Sequence, residues 1–511
     1  MGRTRTGRSA ARVADLGFRI EKGARETLAD QIYEGVRLAI AEGRVKPGER
    51  LPSIRETAAR LSVALNTAAA AYRRLADEGF AEPRAGSGFT VPSALPVQFG
   101  QTQPGAKKEK TAASRPLAPR PLTPRARVAE AAVHNLSEHF FSDVPFQVYT
   151  PAMDPDAEPE WLRLAADAAR SPWRHTFYSP PHGFAPLRDI IAERLRQMRG
   201  IICSPEQVII TTGTVQSLSL CASVLFREGD AILAEDPVYS LMGSALDFHG
   251  LRRIPVPVDL EGMDVGAGLA AHPDAAGALV TPASQMALSV PLSRARREAL
   301  VAWARRRRAW IIEEDTDGLT WHGEDPQLPV RSLPGGADCV IYMESFSLQI
   351  FPGLRVAYLV VPENLADAFS GAKLLSDRYT AESIQSVLAA YLASESYESH
   401  IRRLNRLCRE RYAFMRQAAA ERLSDFGELS PTRAGPHVTL FLKDGIRDAA
   451  VEGILAARGI RARAVSRCLC SGAARNGLIL GFGGYPKEAL EAGIEALREA
   501  CLAAAREEPR R

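Results

Sequence analysis

No stretch of this 511-residue chain approaches the run of about 20 apolar residues that a helical membrane span needs, so no membrane partner is expected. The opening MGRTRTGRSAARVADLGF carries basic residues with no apolar stretch behind them, which does not read as a secretory signal. Cysteine is sparse and odd in number: seven, at positions 203, 221, 339, 408, 468, 470 and 501. Only Cys468 and Cys470 lie close together, and no second pair or histidine cluster completes a zinc site. The thiols therefore read as reduced and cytoplasmic, with no metal expected. Lysine is scarce too: there are eight, and beyond residue 128 only Lys373, Lys443 and Lys487, each expected in a surface helix or loop.

What is present is ordinary in bulk. Hydrophobic residues make up 46% and charged residues 24%, which fits a folded globular chain rather than a disordered or collagen-like one. The length suits one small module plus one enzyme-sized fold. The net charge of +4 is unevenly spread. Residues 1–92 carry +5, residues 93–128 carry +6, and the remaining body carries −7. A basic front on a mildly acidic body suggests a nucleic-acid-binding head, although a basic tail can also be merely solubilising.

Residues 93–126 hold six prolines between 96 and 124, one aromatic (Phe99) and no apolar periodicity. This reads as a proline-stiffened basic linker, assigned to 94–128. Ahead of it, the apolar spacing from Thr27 to Glu42 predicts a helix stopped at Gly43. Ser53 with Glu56 forms a capping box that opens a second helix to about Leu61. Asn66 or Thr67 opens a third helix through Glu78. Two short strands then flank the turn Arg84-Ala85-Gly86-Ser87-Gly88. Helix, turn, helix and hairpin make a winged helix-turn-helix, whose third helix should enter the major groove of double-stranded DNA.

The runs LADQIYEGVRLAIAEGRVKPGERLPSIRETAARL, NTAAAAYRRLADEGF and PRAGSGFTV resemble the GntR-type DNA-binding domain over residues 25–93. The resemblance implies DNA contacts from Ser53, Arg55, Asn66, Thr67, Tyr72, Arg73, Arg84 and Gly86. The chain departs from the pattern at Ala64-Leu65, where the family usually has Ser-Arg, and at Ala70, where a basic residue is common. Arg73 and Arg74 are expected to compensate through phosphates.

Beyond the linker, short apolar runs alternate with helical stretches: 208–210, 231–234, 277–280, 310–314, 339–342 and 356–360. That alternation predicts an α/β fold with a mostly parallel sheet, followed from about residue 395 by a small α+β lobe. The runs YSPPHGFAPLR, PEQVIITTGTVQSLSL, EDPVY, TPASQ, IIEEDTDG, YMESFSLQIFPGLRVAYLV and LILGF make the body, 145–505, resemble a fold-type I, class I aminotransferase. Head, linker and body together resemble the MocR-type transcriptional regulators, a multidomain class.

That resemblance implies a pyridoxal phosphate (PLP) pocket, but a degenerate one. The family's Schiff-base lysine falls on Leu348, so covalent binding of the cofactor and catalysis are not expected. The acid that holds the ring nitrogen falls on Glu314, or on Asp315 under a one-residue shift. The ring-hydroxyl tyrosine falls on Thr316, and the substrate-carboxylate arginine on Ile479. The turn under the cofactor becomes Ser284-Gln285-Met286-Ala287-Leu288-Ser289. Gly213, Thr214, Ser345, Ser347 and Arg355 stand where phosphate ligands lie, and Tyr239 where an aromatic ring would stack. Each also has a scaffold reading: Gly213 in a tight turn, Arg355 in an internal ion pair, Tyr239 in the core. The expected function is a homodimeric regulator whose body senses an effector. The alternative is an active PLP-dependent aminotransferase with a DNA-binding head.

Overall fold

The computed structural model describes residues 16–21, 23–24, 26–84, 88–93, 121–136, 144–152, 159–170, 178–323, 327–470 and 475–507. The chain divides into two compact units, residues 1–119 and 120–511. Gly86 and most of the predicted linker lie outside the described residues.

The head unit contains α1 (Leu28–Ala41), α2 (Ile54–Leu61), α3 (Leu65–Asp77) and a hairpin of β1 (Glu82–Arg84) with β2 (Gly88–Thr90). Thr27 caps α1 through the Asp30 amide. The Ser53–Glu56 capping box opens α2, with both reciprocal bonds formed. The core gathers Ile32, Val36 and Ala39 of α1 against Ala71, Tyr72 and Leu75 of α3. Tyr72 is fully buried, its hydroxyl 2.9 Å from Thr57 Oγ1 and its ring edge-on to Phe89. It falls on the inward stripe with Ala68 and Leu75, so it serves the core, not the DNA face.

The body unit opens with α4 (Pro124–Leu136), α5 (Pro159–Arg170), α6 (Ala185–Arg199), β3 (Val208–Thr211), α7 (Thr214–Leu225), β4 (Ala231–Asp236) and α8 (Ser240–Phe248). It continues with β5 (Arg252–Asp259), β6 (Gly262–Met263), α9 (Val265–Ala271), β7 (Gly277–Val280), α10 (Arg294–Arg307), β8 (Trp310–Glu314), β9 (Val340–Ser345) and β10 (Ala357–Val360). These strands form one sheet in the order β3-β10-β9-β8-β7-β4-β5-β6. From β9 through β5 neighbours run parallel, while β10 is antiparallel to both β3 and β9. The inner parallel strands β4, β7, β8 and β9 are buried on both faces over nearly all of their length, whereas β5 alternates between buried and exposed positions.

Helices α11 (Ala366–Asp377), α12 (Glu382–Leu392) and α13 (Glu395–Arg422) lead into a second, antiparallel sheet. That sheet combines β11 (Gly427–Leu429), β12 (His437–Leu442), β13 (Arg463–Ala464) and β14 (Gly477–Gly481), in the order β11-β12-β14-β13. With α14 (Asp448–Ala457) and α15 (Lys487–Glu507) it encloses its own core around Met415, Val438, Leu480 and Ile494. This is the small α+β lobe.

Two further features differ from the sequence expectation. Helix α4 occupies residues 124–128 at the end of the segment assigned as linker, and Arg125 pairs with Glu228 of the body at 3.2 Å. Lys373 is fully buried, not on the surface, and pairs with Asp377 at 2.5 Å. Asp377 also accepts from Gln216 of α7, whose own side-chain oxygen takes the Thr212 amide. The lysine's charge is thus neutralised within a structural chain of bonds.

Candidate DNA face and candidate ligand cavity

On the head, Asn66, Ala70 and Arg73 recur at helical spacing and share one exposed face of α3. Arg55 of α2 and Arg84 of β1 are also exposed. Neither they nor Arg73 has an ion-pair partner among the described residues. Arg74 differs. It pairs with Asp30 and Glu78, both at 2.9 Å, and lies 3.9 Å over the Tyr33 ring. Its charge is spent inside the head, so of the two arginines expected to meet phosphates only Arg73 is free to do so. Thr67 is half-buried, and Ser53 is occupied by its cap.

In the body, a cavity of about 530 Å³ opens where the ends of β8 and β9 meet the start of α7. Gly213 precedes α7 with φ +134°, a conformation that side chains disfavour. A Cβ there would also lie 2.4 Å from an Arg355 guanidinium nitrogen. Glycine therefore lets Arg355 reach the helix N-terminus, where the leading amides lack intrahelical acceptors. Arg355 is exposed toward this space and has no ion-pair partner among the described residues. Ser345 and Ser347 meet at 2.8 Å between their hydroxyls. Together these groups form a donor-rich end that suits a phosphate.

Leu348 is buried and lines the same cavity, and among the described residues no lysine does. Its neighbour Gln349 is gripped on three sides. Its amide donates to Glu344, its side-chain oxygen accepts from Tyr397 at 2.7 Å, and its carbonyl lies 2.5 Å from the His400 ring. Glu344 accepts in addition from Tyr342 and Tyr358.

The other end is acidic. Glu314 lines the cavity and accepts from the Thr316 hydroxyl. Burial pushes its carboxyl up to about 8. Asp317, also lining, is pushed up to about 7 by burial and then by the charge of Asp315. Asp315 itself turns away into a buried ion pair with Arg199, supported by the Tyr342 hydroxyl at 2.9 Å. The choice between Glu314 and Asp315 is thus made by strand alternation: Glu314 faces the cavity. Tyr149 and Tyr239 pack with ring centroids 5.0 Å apart and both line it.

Because the folded-state pKa of Glu314 is raised, the folded form binds more protons than the unfolded one between the ordinary carboxylate range and about pH 8. Its contribution to stability therefore falls as pH rises through that window. Glu314→Gln should flatten the profile, so the melting temperature of the variant relative to the parent should be higher at pH 8.5 than at pH 5. Thermal unfolding at the two pH values checks this.

Residues 28–91 match the family "Bacterial regulatory proteins, gntR family", and residues 150–476 match "Aminotransferase class I and II". The chain is 31% identical, over 94% of its length and 97% of the relative's, to the HTH-type pyridoxine biosynthesis transcriptional regulator PdxR of Corynebacterium glutamicum. It is 29% identical, over 95% and 96%, to the probable rhizopine catabolism regulatory protein MocR of Rhizobium meliloti. The chain belongs to the MocR/PdxR-type regulators. The body of this MocR-type chain has the fold of solved aminotransferases. The α-aminoadipate aminotransferase LysN of Thermus thermophilus matches with TM-score 0.64 and 25% identity, over 74% of this chain and 97% of that one. A multiple substrate aminotransferase from Thermococcus profundus matches with TM-score 0.67 and 22% identity, over 76% and 98%.

Within the MocR-type body, the residues predicted for the cofactor pocket come together around one cavity. Thr214, Tyr239, Glu314, Thr316, Ser345, Ser347, Leu348 and Arg355 line it, and Gly213 backs Arg355. The scaffold reading of Arg355 as an internal ion pair fails. The turn 284–289 is held by Gln285, whose side-chain oxygen accepts from the Ala287 and Leu288 amides. Ser289 takes φ +56° there, the conformation for which the family pattern supplies glycine.

Ile479 does not line the cavity and packs with Val148 and Leu288. Directly across from it in β13 stands Arg463, beside Cys468, Tyr149 and Tyr239. A cation thus stands on the adjacent strand, outside the lining of the cavity. Arg463 escaped sequence reading because its strand is two residues long. Asp317 carries no motif signal of its own in the sequence and is found only through its burial in the cavity wall.

Proposed function

We propose that this protein is a DNA-binding transcriptional regulator whose body is a homodimerising, effector-sensing domain that holds no covalent PLP and performs no transamination. The observation that carries the reading is the cavity wall. A phosphate-suited end is intact, yet Leu348 occupies the position of the amine-bearing residue, and among the described residues no lysine lines the space. An imine needs a primary amine within reach. Lys373, buried against Asp377 and outside the cavity lining, supplies none there.

The head supports the DNA-binding half through its exposed α3 face and unpaired arginines. The PLP phosphate would be held by Thr214, Ser345, Ser347 and Arg355, and its ring by Tyr239 and Glu314. When bound covalently, such a cofactor supplies an electron sink. Without a lysine, these residues offer only a place to bind and be sensed.

Purified protein incubated with PLP and borohydride should gain no pyridoxyl mass and show no aldimine absorbance. The same sample should sediment as a dimer and shift operator DNA. A stoichiometric adduct on the body would overturn the reading in favour of an active aminotransferase with a DNA-binding head.

A further inference from the structure

The cavity contains charges that nothing among the described residues answers. The Asp317 side chain is nine-tenths buried and lines the cavity, yet neither carboxylate oxygen accepts a hydrogen bond among the described residues. Such a group is expensive to bury unless something completes it. Ser284 Oγ and Tyr149 OH, lining the same space, also lack partners among the described residues. Arg355 is unpaired as well, and it does not pair with Asp317. Glu314 differs from Asp317 because the Thr316 hydroxyl already donates to it.

An unpaired guanidinium and an unpaired carboxylate in one cavity are complementary to a ligand that carries both signs of charge. We propose that the cavity binds, without a covalent bond, a phosphate monoester bearing a protonated nitrogen, with the phosphate at Arg355 and the start of α7 and the nitrogen at Asp317. This rests on reading the body as a ligand-sensing domain and names the chemical class it senses. A lysine in the wall would favour an aldehyde through imine formation and would repel an ammonium. Leu348 removes both effects, and Asp317 adds an attraction for the amine. The preference between aldehyde and amine is thereby reversed from that of a lysine-bearing site. Burial holds the Asp317 carboxyl up at about 7, so an arriving cation also fixes it in the charged form.

The test compares pyridoxamine 5′-phosphate with pyridoxine 5′-phosphate on the full chain by calorimetry. The two share ring and phosphate and differ in an amine against a hydroxyl. The amine should bind at least ~10-fold tighter, as expected for a charge-assisted hydrogen bond in place of a neutral one. Asp317→Asn should reduce that ratio to within about two-fold, whereas Arg355→Gln should weaken both ligands and leave the ratio intact. Equal affinities in the parent protein, a preference that survives Asp317→Asn, or no binding of either compound would overturn the proposal. Operator binding, measured on the same samples, reports separately on the regulator reading. If it is lost in the parent protein, that reading fails whatever the ligands do.

Discussion

Replacing Arg199 by methionine should destabilise the body by about 3–5 kcal/mol, the loss expected when one partner of a buried ion pair is removed. Both Arg199 and Asp315 are almost wholly buried, and they face each other directly. Arg199 also donates to the Gly318 carbonyl at 3.2 Å, which pins the turn after β8. Without the guanidinium, Asp315 would be left charged beside Glu313, Glu314 and Asp317, all three pushed upward by burial and by Asp315 itself. The pair therefore sets the electrostatics of the acidic end of the cavity as well as its geometry. Replacing both partners, Arg199→Met with Asp315→Leu, should recover much of the lost stability because no charge is then stranded. Urea unfolding followed by tryptophan fluorescence separates the outcomes. A single variant as stable as the parent would show that the pair contributes nothing net.

The second large effect is expected on DNA. Arg55→Ala and Arg84→Ala should each weaken operator binding by about 10-fold, in the range of one good base or phosphate contact. Where the lost contact is to phosphate, the log–log salt slope should fall by about 0.9. Arg74→Ala serves as the internal comparison. Its side chain is committed to Asp30, Glu78 and the Tyr33 ring, so its loss should move affinity far less. Leu65, exposed at the start of α3, offers the opposite change: Leu65→Arg should tighten binding and steepen the slope. Fluorescence anisotropy across a salt titration with a selected operator reads all four. Equal losses for Arg74 and Arg55 would contradict the assignment of the DNA face.

The elements most legible in the sequence were those whose signals are local. The Ser53–Glu56 box, the glycine stop at Gly43 and the apolar strands of the central sheet each carry their cause within a few residues. Strand β5 was passed over because Pro255 and Pro257 break the usual strand signal. Both sit at exposed positions near the sheet margin, where a missing amide is tolerated. Helix α4 was hidden by the prolines around it, although Pro124 stands in its first turn, where proline is welcome. At the cavity, resemblance located the residues that match a pattern, and contacts over long sequence separations located the rest. Asp317 meets Gly435, far along the chain, where a Cβ would crowd its carboxylate at 2.9 Å. For Tyr72 the resemblance implies a DNA contact, while its helical spacing to Ala68 and Leu75 turns it into the core.

The grip on Gln349 has a thermodynamic consequence for whatever occupies the cavity. The loop carrying Ser345, Ser347 and Leu348 is anchored at its next residue to Glu344 of β9 and to Tyr397 and His400 of α13. Little conformational freedom is left there for an arriving ligand to remove, so the entropic penalty of ordering that usually weakens loop-built sites is small. A displacement of this loop by even a fraction of an ångström is not absorbed locally. It acts directly on a 28-residue helix, α13, that runs from the central sheet's side of the body into the core of the C-terminal lobe.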